Sequence, residues 1–499
     1  MDLLANLAHG FGVALSFTNV TFALVGALIG TAIGVLPGIG PVATISLLLP
    51  ITFGQPATTA IIMLAGIYYG AQYGGSTTAI LLNLPGEISS VVTTLEGYKM
   101  ARNGRAGAAL ATAALASFFA GTVATVVVAG SGPLLTSVAL SFGPADYFSL
   151  MLLGLIISAV LAQGSVTKAI GMVTLGVALG LVGTDVQTGQ QRFTFGVPEL
   201  SDGISFVALA MGMFGIAEII LNLERPEARS VLKTKVGSLW LTKEEFHRAI
   251  PSVLRGTAVG TVLGILPGGG ASLSSFGSYM MERKVSKGRH LFGTGAIEGV
   301  AGPESANNAA AQTSFIPLLT LGIPSNAVMA LMVGALIIQG IQPGPRMVEA
   351  QPDLFWGLIC SMWIGNVMLL VINLPMIGMW VKLLQVPYKF LYPAILVFCS
   401  IGAYSVNNNV FDVYTTVVFS IVGYIFNKLK MEPAPLLIGF VLGPMMEEHL
   451  RRAMLLSRGD ATVFIERPIS ASMLAIGAIA LLAMVLPNLR KGKEAAMAG

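Results

Sequence analysis

The sequence predicts an all-α integral membrane protein built from two inverted-topology repeats with re-entrant hairpins and discontinuous helices. Three observations predict this class: the composition, a repeated proline–glycine turn, and the number of apolar runs between its two copies. Hydrophobic residues make up 54% of the 499 residues and charged residues only 10%, whereas soluble domains carry about 25% charged residues. Apolar runs of membrane-spanning length recur along the chain, and we expect about 10 to 14 membrane-inserted helices.

The repeated turn reads GVLPGIG at residues 34–40 and GILPGGG at residues 264–270, an offset of 230. Proline removes a backbone donor and glycine admits positive φ, so each turn interrupts a helix. In lipid, an interrupted backbone survives only where protein or a polar cavity satisfies its N–H and C=O groups. Paired interruptions in the two halves of a membrane protein indicate a transport site. The sequence therefore predicts equivalent hairpins over 18–50 and 253–281.

The rest of the first half supplies spans and basic loops. Residues 57–73 are long enough to span, and 76–84 form a half-length piece that ends at Pro85. Further spans are expected at 108–130, 146–163, 166–184 and 204–223. The positive-inside tendency places the basic segments 87–107 and 224–252 in the cytoplasm. The predicted organisation is a first membrane repeat over 1–223, a cytoplasmic linker over 224–252 and a second repeat over 253–499.

The span count predicts how the repeats are oriented. Five spans separate the two turns, and an odd number turns the second hairpin upside down relative to the first. The first hairpin should then open to the outside and the second to the cytoplasm, as in secondary transporters with inverted repeats. In the second half, the short apolar piece 315–323 mirrors 80–84, and 354–381 forms either one long or two short elements.

Small polar residues and glycines cluster around the predicted breaks, where helix N-termini favour anions and helix C-termini favour Na⁺. The candidate residues for binding a carboxylate substrate are Gly38, Gly40, Ser76, Thr77, Asn83, Gly268, Gly269, Asn307, Asn308, Thr313, Ser314, Ser325 and Asn326. The candidates for binding the ion are Gly34, Pro37, Gly74, Gly75, Thr78, Gly264, Pro267, Thr320 and Gly322. The alternative is that such residues only mediate helix packing.

Acidic residues near the breaks are a second group of candidates, because carboxylates are costly inside a membrane and often functional. Glu304 lies beside the second break and Glu87 just beyond the first, whereas Glu218 is interpreted as a solvated helix end. The four histidines lack metal-ligand spacing, and no nucleophile elbow, Walker A or dinucleotide motif occurs. We expect no enzyme activity, no cofactor, no transition metal and no nucleic-acid partner. The expected coupling ion is Na⁺, and the surrounding partner is membrane lipid.

Several strings resemble the large membrane subunit of tripartite tricarboxylate transporters, and the resemblance covers nearly the whole chain. They occupy residues 34–41, 69–86, 198–205, 311–326 and 401–408. The resemblance implies a multi-pass permease of the bacterial inner membrane that works with a small four-helix membrane subunit and a periplasmic solute-binding protein. It also implies cation-driven uptake of organic carboxylates, with citrate as the name-giving substrate.

Other functions stay open on the residues alone. The chain could be an ion-coupled carrier of another small anion that works without a binding protein, or a passive channel or scaffold. A membrane-embedded enzyme would need a nucleophile with a base, and Ser76 has no evident histidine partner. Ion-dependent, saturable uptake distinguishes a carrier from a channel and from an enzyme.

Overall fold

The computed structural model describes residues 3–36, 40–139, 141–162, 165–185, 187–224, 237–266, 270–383 and 388–497. Within these ranges the regular structure is helical, apart from one antiparallel ribbon of β1 (Gly183–Thr184) and β2 (Gln191–Arg192). The first half contains α1 Leu3–Ala14, α2 Phe17–Val35, α3 Pro41–Leu48, α4 Ala57–Leu82, α5 Val91–Met100, α6 Ala106–Ala139, α7 Pro144–Leu161, α8 Val166–Gly180, α9 Phe206–Ala210 and α10 Ala217–Glu224.

The second half is also helical throughout its described residues. It contains α11 Lys243–Ile265, α12 Gly270–Val285, α13 Glu298–Thr313, α14 Phe315–Leu321, α15 Ala327–Ile338, α16 Met347–Ala350, α17 Pro352–Asn373, α18 Ile377–Leu383, α19 Tyr388–Asn407, α20 Val410–Lys428, α21 Ala434–Leu456, α22 Val463–Glu466 and α23 Pro468–Met497. Short 3₁₀ or π segments connect some of these helices, such as Ile88–Ser90 before α5 and Met211–Ile216 between α9 and α10.

Six helical segments of the described chain are long and apolar enough to cross a membrane. They are Phe17–Val35, Ile88–Gly132, Pro144–Leu161, Phe206–Glu224, Pro352–Asn373 and Val410–Lys428, and shorter apolar helices accompany them. The protein is therefore an all-α, multi-pass membrane protein, as the composition predicted.

Two pairs of helices repeat one packing arrangement. The second half of α2 has three glycines spaced four residues apart, and a Cβ on any of them would overlap a backbone carbonyl of α4. The glycines are Gly26, Gly30 and Gly34, and the carbonyls belong to Met63, Ile67 and Ala71. In the second pair, glycines of α11 meet α13 in the same way: Gly256, Gly260 and Gly264 face Gly302, Ala306 and Ala310. Each α13 position follows its α4 counterpart by 239 residues.

Both pairs also end alike. The helix α4 ends at Asn83 in the left-handed conformation (φ 58°), and α14 ends at Gly322 in the same conformation (φ 74°). A proline follows two residues later in each case, and Glu87 and Asn326 then occupy the N-cap positions of the next helical segments. We call residues 17–87 the first unit and residues 243–326 the second unit.

The units differ from the sequence prediction in where a helix is broken. The expected break between 73 and 76 is wrong, because α4 runs without interruption from Ala57 to Leu82. Gly74 and Gly75 serve close packing instead: a Cβ on Gly74 would overlap the Thr31 carbonyl, and one on Gly75 would lie 3.0 Å from Glu87 Cγ.

The second unit and the regions beside it bear on three other expectations. The second unit has its break at Ser314, between α13 and α14. The run 354–381 forms two helices, α17 and α18. Within the predicted linker 224–252, α11 already begins at Lys243.

Candidate functional site

A cavity of about 930 Å³ lies where the two units meet. The start of α3 at Gly40 and the start of α12 at Gly270 both line it. The turn Pro85–Glu87 after α4 and Asn326 after α14 also contribute to its wall. Residues of α7, α10, α20 and α21 complete the wall, including Ser158, Glu218, Asn427 and Ile438.

Four helical segments begin at this cavity. They are α3, α12, α15 and the 3₁₀ turn Ile88–Ser90 that leads into α5. The lining includes first-turn residues of each: Val42 and Ala43, Ala271 and Ser272, Ala327 and Val328, and Ile88 and Ser89. The first N–H groups of a helix have no acceptor within the helix, and they carry the positive end of its dipole. The Glu87 carboxylate caps the 3₁₀ turn, so the starts of α3, α12 and α15 are the ends whose field favours a negatively charged ligand.

Asn326 adds a side-chain donor to this field. Its Oδ1 accepts a hydrogen bond of 3.0 Å from the N–H of Met329 and so caps α15. Its Nδ2 is buried and has no hydrogen-bond partner among the described residues. A Cβ on Gly270 would come within 3.5 Å of this amide nitrogen, so the side chain lies against the start of α12. The Asn326 amide is therefore available to donate to a ligand in the cavity.

The cavity is also lined by several charged residues. The sequence interpretation did not predict that so many of them would lie at one site. Glu87 Oε1 accepts hydrogen bonds from Ser89 and, at 3.4 Å, from Asn307 Nδ2 of α13. Glu218, Glu432 and the exposed Lys430 line the cavity as well. Glu218 is thus a cavity residue rather than only a helix end. A bound anion would lie near three carboxyl groups and one ammonium group.

Sequence reasoning missed Tyr68 and Gln72, which line the cavity from α4. Their four-residue spacing puts them on one face of a helix, and they directly precede the predicted candidates Gly74 to Thr78. Because 57–73 was interpreted as an ordinary span, the polar face formed by these two residues was not considered.

Of the predicted substrate-binding residues that the structure describes, Gly40 and Asn326 line the cavity, and Asn307 contacts it through Glu87. Ser76 and Thr77 line a separate small void beside Glu304. Asn308 donates to Ser117, and Ser325 donates to the Ser314 carbonyl. Thr313 and Ser314 donate to carbonyls of their own helical segment. Asn83 is exposed at the end of α4.

The predicted ion-binding residues mostly stabilise the packing of the two units. Thr78 donates a 2.6 Å hydrogen bond to the Val35 carbonyl at the end of α2. Gly34 lies against Gly86, Gly264 against Thr313, and Gly322 against Pro343. Thr320 donates to the Ile316 carbonyl. Two ion candidates, Pro37 and Pro267, lie outside the described residues, as do three substrate candidates, Gly38, Gly268 and Gly269. A role in binding stays a prediction for all of these positions.

Comparison with known proteins identifies the family of the chain. Residues 20–438 match the model of the tripartite tricarboxylate transporter TctA family. One relative is an Agrobacterium vitis protein named "Uncharacterized 52.8 kDa protein in TAR-I ttuC' 3'region". The two sequences are 60% identical over 494 aligned residues, and the alignment covers 99% of this chain and 98% of the relative. No solved structure matches the chain.

A second relative from the same organism matches half of the chain. It is named "Uncharacterized protein in TAR-II ttuC' 3'region" and is 62% identical over 235 residues, which cover 47% of this chain and 97% of the relative. The family model spans most of the chain. It includes the second unit, all but the first three residues of the first unit, and the cavity between them, and it agrees with the resemblance of the sequence strings. The chain therefore belongs to the TctA family of tripartite tricarboxylate transporters.

Proposed function

We propose that this chain is the membrane permease that moves organic carboxylates, tricarboxylates among them, through the cavity between its two units. The observation that carries the proposal is the convergence of the N-termini of α3, α12 and α15 and of the Asn326 amide on one cavity. Uncompensated N–H groups bind carboxylates without a basic side chain. The volume of about 930 Å³ lies within the range of small-molecule sites, roughly 300–1,000 Å³.

A cation gradient drives the transport in this proposal, with Na⁺ as the coupling ion. Glu87 lines the same cavity and forms no described ion pair, so its carboxylate repels a bound carboxylate. Co-binding of a cation reduces this repulsion and ties the movement of the anion to the movement of the cation. The chain acts in the bacterial inner membrane with a small four-helix subunit and a periplasmic solute-binding protein, which delivers the solute.

Reconstituted uptake tests this function. The complex in proteoliposomes should accumulate one of citrate, a shorter dicarboxylate or an aromatic acid when the binding protein and a Na⁺ gradient are present. Ser272→Trp should abolish uptake, because Ser272 lies in the first turn of α12 at the cavity. Ser400→Trp is the matched control, since Ser400 is exposed on α19, outside the cavity wall. Equal uptake by both variants would contradict this path, and uptake without the binding protein would favour a self-sufficient carrier.

The proposed mechanism also requires the two units to have opposite orientations across the membrane, within a total of about 10 to 14 inserted helices. Cysteine labelling tests the orientation in a variant that lacks Cys360 and Cys399. Gly54→Cys lies at the open end of the first hairpin and Lys287→Cys at that of the second, and both positions are exposed. An impermeant reagent should label Gly54→Cys only from outside and Lys287→Cys only from inside. Labelling of both from one side would contradict the inversion.

A further inference from the structure

A second site lies apart from the large cavity, around the carboxylate of Glu304. Glu304 sits on α13 and is 1% exposed. Its two carboxylate oxygens accept hydrogen bonds from Ser76 of α4, at 2.7 Å, and from Thr93 of α5. No described Lys, Arg or His side chain forms an ion pair with it. The first and second units therefore meet at a buried carboxylate whose described partners are hydroxyl groups and include no cation.

Other buried acids of the same region are satisfied differently. Glu282 and Glu298 are paired with Arg255 and Arg248. Glu96 accepts three backbone N–H groups, from Gly293, Gly295 and Ala296, and the Tyr279 hydroxyl. Groups of this kind stabilise the ionised form of a carboxylate. Glu304 has neither a cation nor a backbone nest. An uncompensated charge in such a position is costly, so a positively charged partner would be favourable.

The space for such a partner is present. A void of about 10 Å³ of water-accessible space adjoins Glu304 and is lined by Tyr73, Ser76, Thr77, Ser117 and Asn373. This volume corresponds to about one water-sized occupant. Asn373 is 4% exposed, and its Oδ1 has no hydrogen-bond partner among the described residues, while its Nδ2 donates to the Leu369 carbonyl. The lining thus combines a carboxylate, an unpaired carbonyl oxygen and hydroxyls with the apolar residues Leu110, Ala113, Ala114 and Ile377.

We propose that this void beside Glu304 is the site of the coupling cation, with the Glu304 carboxylate as its charged ligand. The cation is monovalent: either Na⁺, held in the void by the oxygens, or a proton bound to the carboxylate itself. Ser76 belongs to the first unit and Glu304 to the second, so occupancy would stabilise the contact between the units. The inference rests on the proposed function for its transport role, whereas cation binding itself is measurable without any carboxylate.

Cation binding is tested with the purified full-length chain. The thermal unfolding midpoint is measured in NaCl against choline chloride at constant ionic strength, at several pH values. A ligand that binds the folded state raises the midpoint by mass action. For the wild type, a rise with Na⁺ identifies Na⁺, and a rise on acidification alone identifies the proton. In Glu304→Gln that rise should be lost. An equal response of wild type and Glu304→Gln, or no response of the wild type to either cation, overturns the proposal.

Matched variants separate the site from a general loss of stability. The amide of Glu304→Gln keeps the shape of the side chain, and the hydroxyls of Ser76 and Thr93 can either donate or accept. Glu304→Asp keeps the charge and should retain the response at a higher cation concentration. Thr112→Val is the control, because the buried Thr112 hydroxyl bonds only to the Ala108 carbonyl of its own helix. Its response should equal that of the wild type.

The transport role is tested in the reconstituted complex. Glu304→Gln should lose accumulation driven by a cation gradient but retain exchange of labelled for unlabelled carboxylate, because the large cavity is intact. Retention of gradient-driven accumulation by Glu304→Gln would overturn the coupling role. Absence of any carboxylate movement in the wild type would instead refute the proposed function, whatever the cation-binding assay shows.

Discussion

The first and second units share a backbone arrangement but differ in the chemical character of their side chains. Both pack a glycine-lined helix against a second helix whose carbonyls meet the glycines at the same spacing. At positions 239 residues apart the side chains differ in kind: Ala65, Tyr68, Tyr69 and Tyr73 of α4 correspond to Glu304, Asn307, Asn308 and Gln312 of α13. The first unit therefore contributes mainly aromatic side chains at these positions, and the second contributes a carboxylate and carboxamides.

The comparison assigns two roles to two sets of residues. The glycines pack the helices of each unit together, and the polar side chains that differ between the units are available for binding. Contacts between glycine and carbonyl depend on the backbone, so they are compatible with many side chains on the other faces of the helices. The polar groups of the second unit reach across to the first, as Asn307 does to Glu87 and Glu304 to Ser76. Neither unit alone supplies a complete site.

The shared packing can be tested by adding one methyl group in each unit. Gly30→Ala and Gly260→Ala should each destabilise the protein by about 3 kcal/mol or more, because the Cβ would overlap the carbonyl of Ile67 or Ala306. Gly12→Ala is the control, since its Cβ would meet nothing within 4 Å. Thermal unfolding in detergent measures the effect. If only one unit were sensitive, the two packing arrangements would not be equivalent.

The charged interior of the second unit can be tested at Arg255. Its guanidinium binds the buried Glu282 carboxylate at 2.8 and 2.6 Å, whereas the equivalent residue of the first unit is the exposed Val25. Arg255→Met should cost about 3 kcal/mol, because the buried Glu282 charge loses its ion-pair partner and keeps only the hydrogen bonds from Ser252 and Ser286. Val25→Met should change the unfolding free energy by less than about 0.5 kcal/mol.

A double variant distinguishes loss of charge pairing from loss of packing at the same position. Arg255→Met combined with Glu282→Gln should be more stable than Arg255→Met alone, since it removes the unpaired charge. A double variant that is less stable than the single one would show that the aliphatic part of Arg255 carries the effect.

The smallest expected difference lies in the helix caps. Thr242 and Glu245 form a capping box at the start of α11, and Ser16 caps α2. Burial raises the pKa of Glu245, but hydrogen bonds from Thr242 and Arg105 outweigh it and lower the pKa below its usual value. A lowered pKa adds stability above the unfolded value of about 4.3. This stability is lost as the pH falls through the folded pKa.

Glu245→Gln should therefore cost about 1 kcal/mol at neutral pH, and the difference from the wild type should shrink as the pH falls below about 4. Ser16→Ala should cost a similar amount at every pH, because a hydroxyl does not titrate in this range. Unfolding measured across a pH series checks both. A pH-independent effect of Glu245→Gln would contradict the role of its charge.

Much of the architecture follows from local sequence. The turns at 34–40 and 264–270 indicate the repeat, because a proline with paired glycines in an apolar run interrupts a helix and has few other structural roles there. The break expected at Tyr73–Ser76 is not there, and the reason is that glycine has two uses. It permits a break, but it also permits two helices to approach closely, and Gly74 serves the second use against Thr31.

The sequence by itself determined the class of protein, the family, the repeat and the regions where polar residues gather. Those properties depend on composition and on short sequence motifs, which can be identified without knowing which residues they contact in the fold. Only the tertiary structure decided that Gly40 and Asn326 face one cavity while Ser76 faces Glu304, 228 residues away in the chain. The physical reason is that a buried polar group must be satisfied by whatever packs against it. That neighbour is set by how the two units meet, not by the residues beside it in the chain.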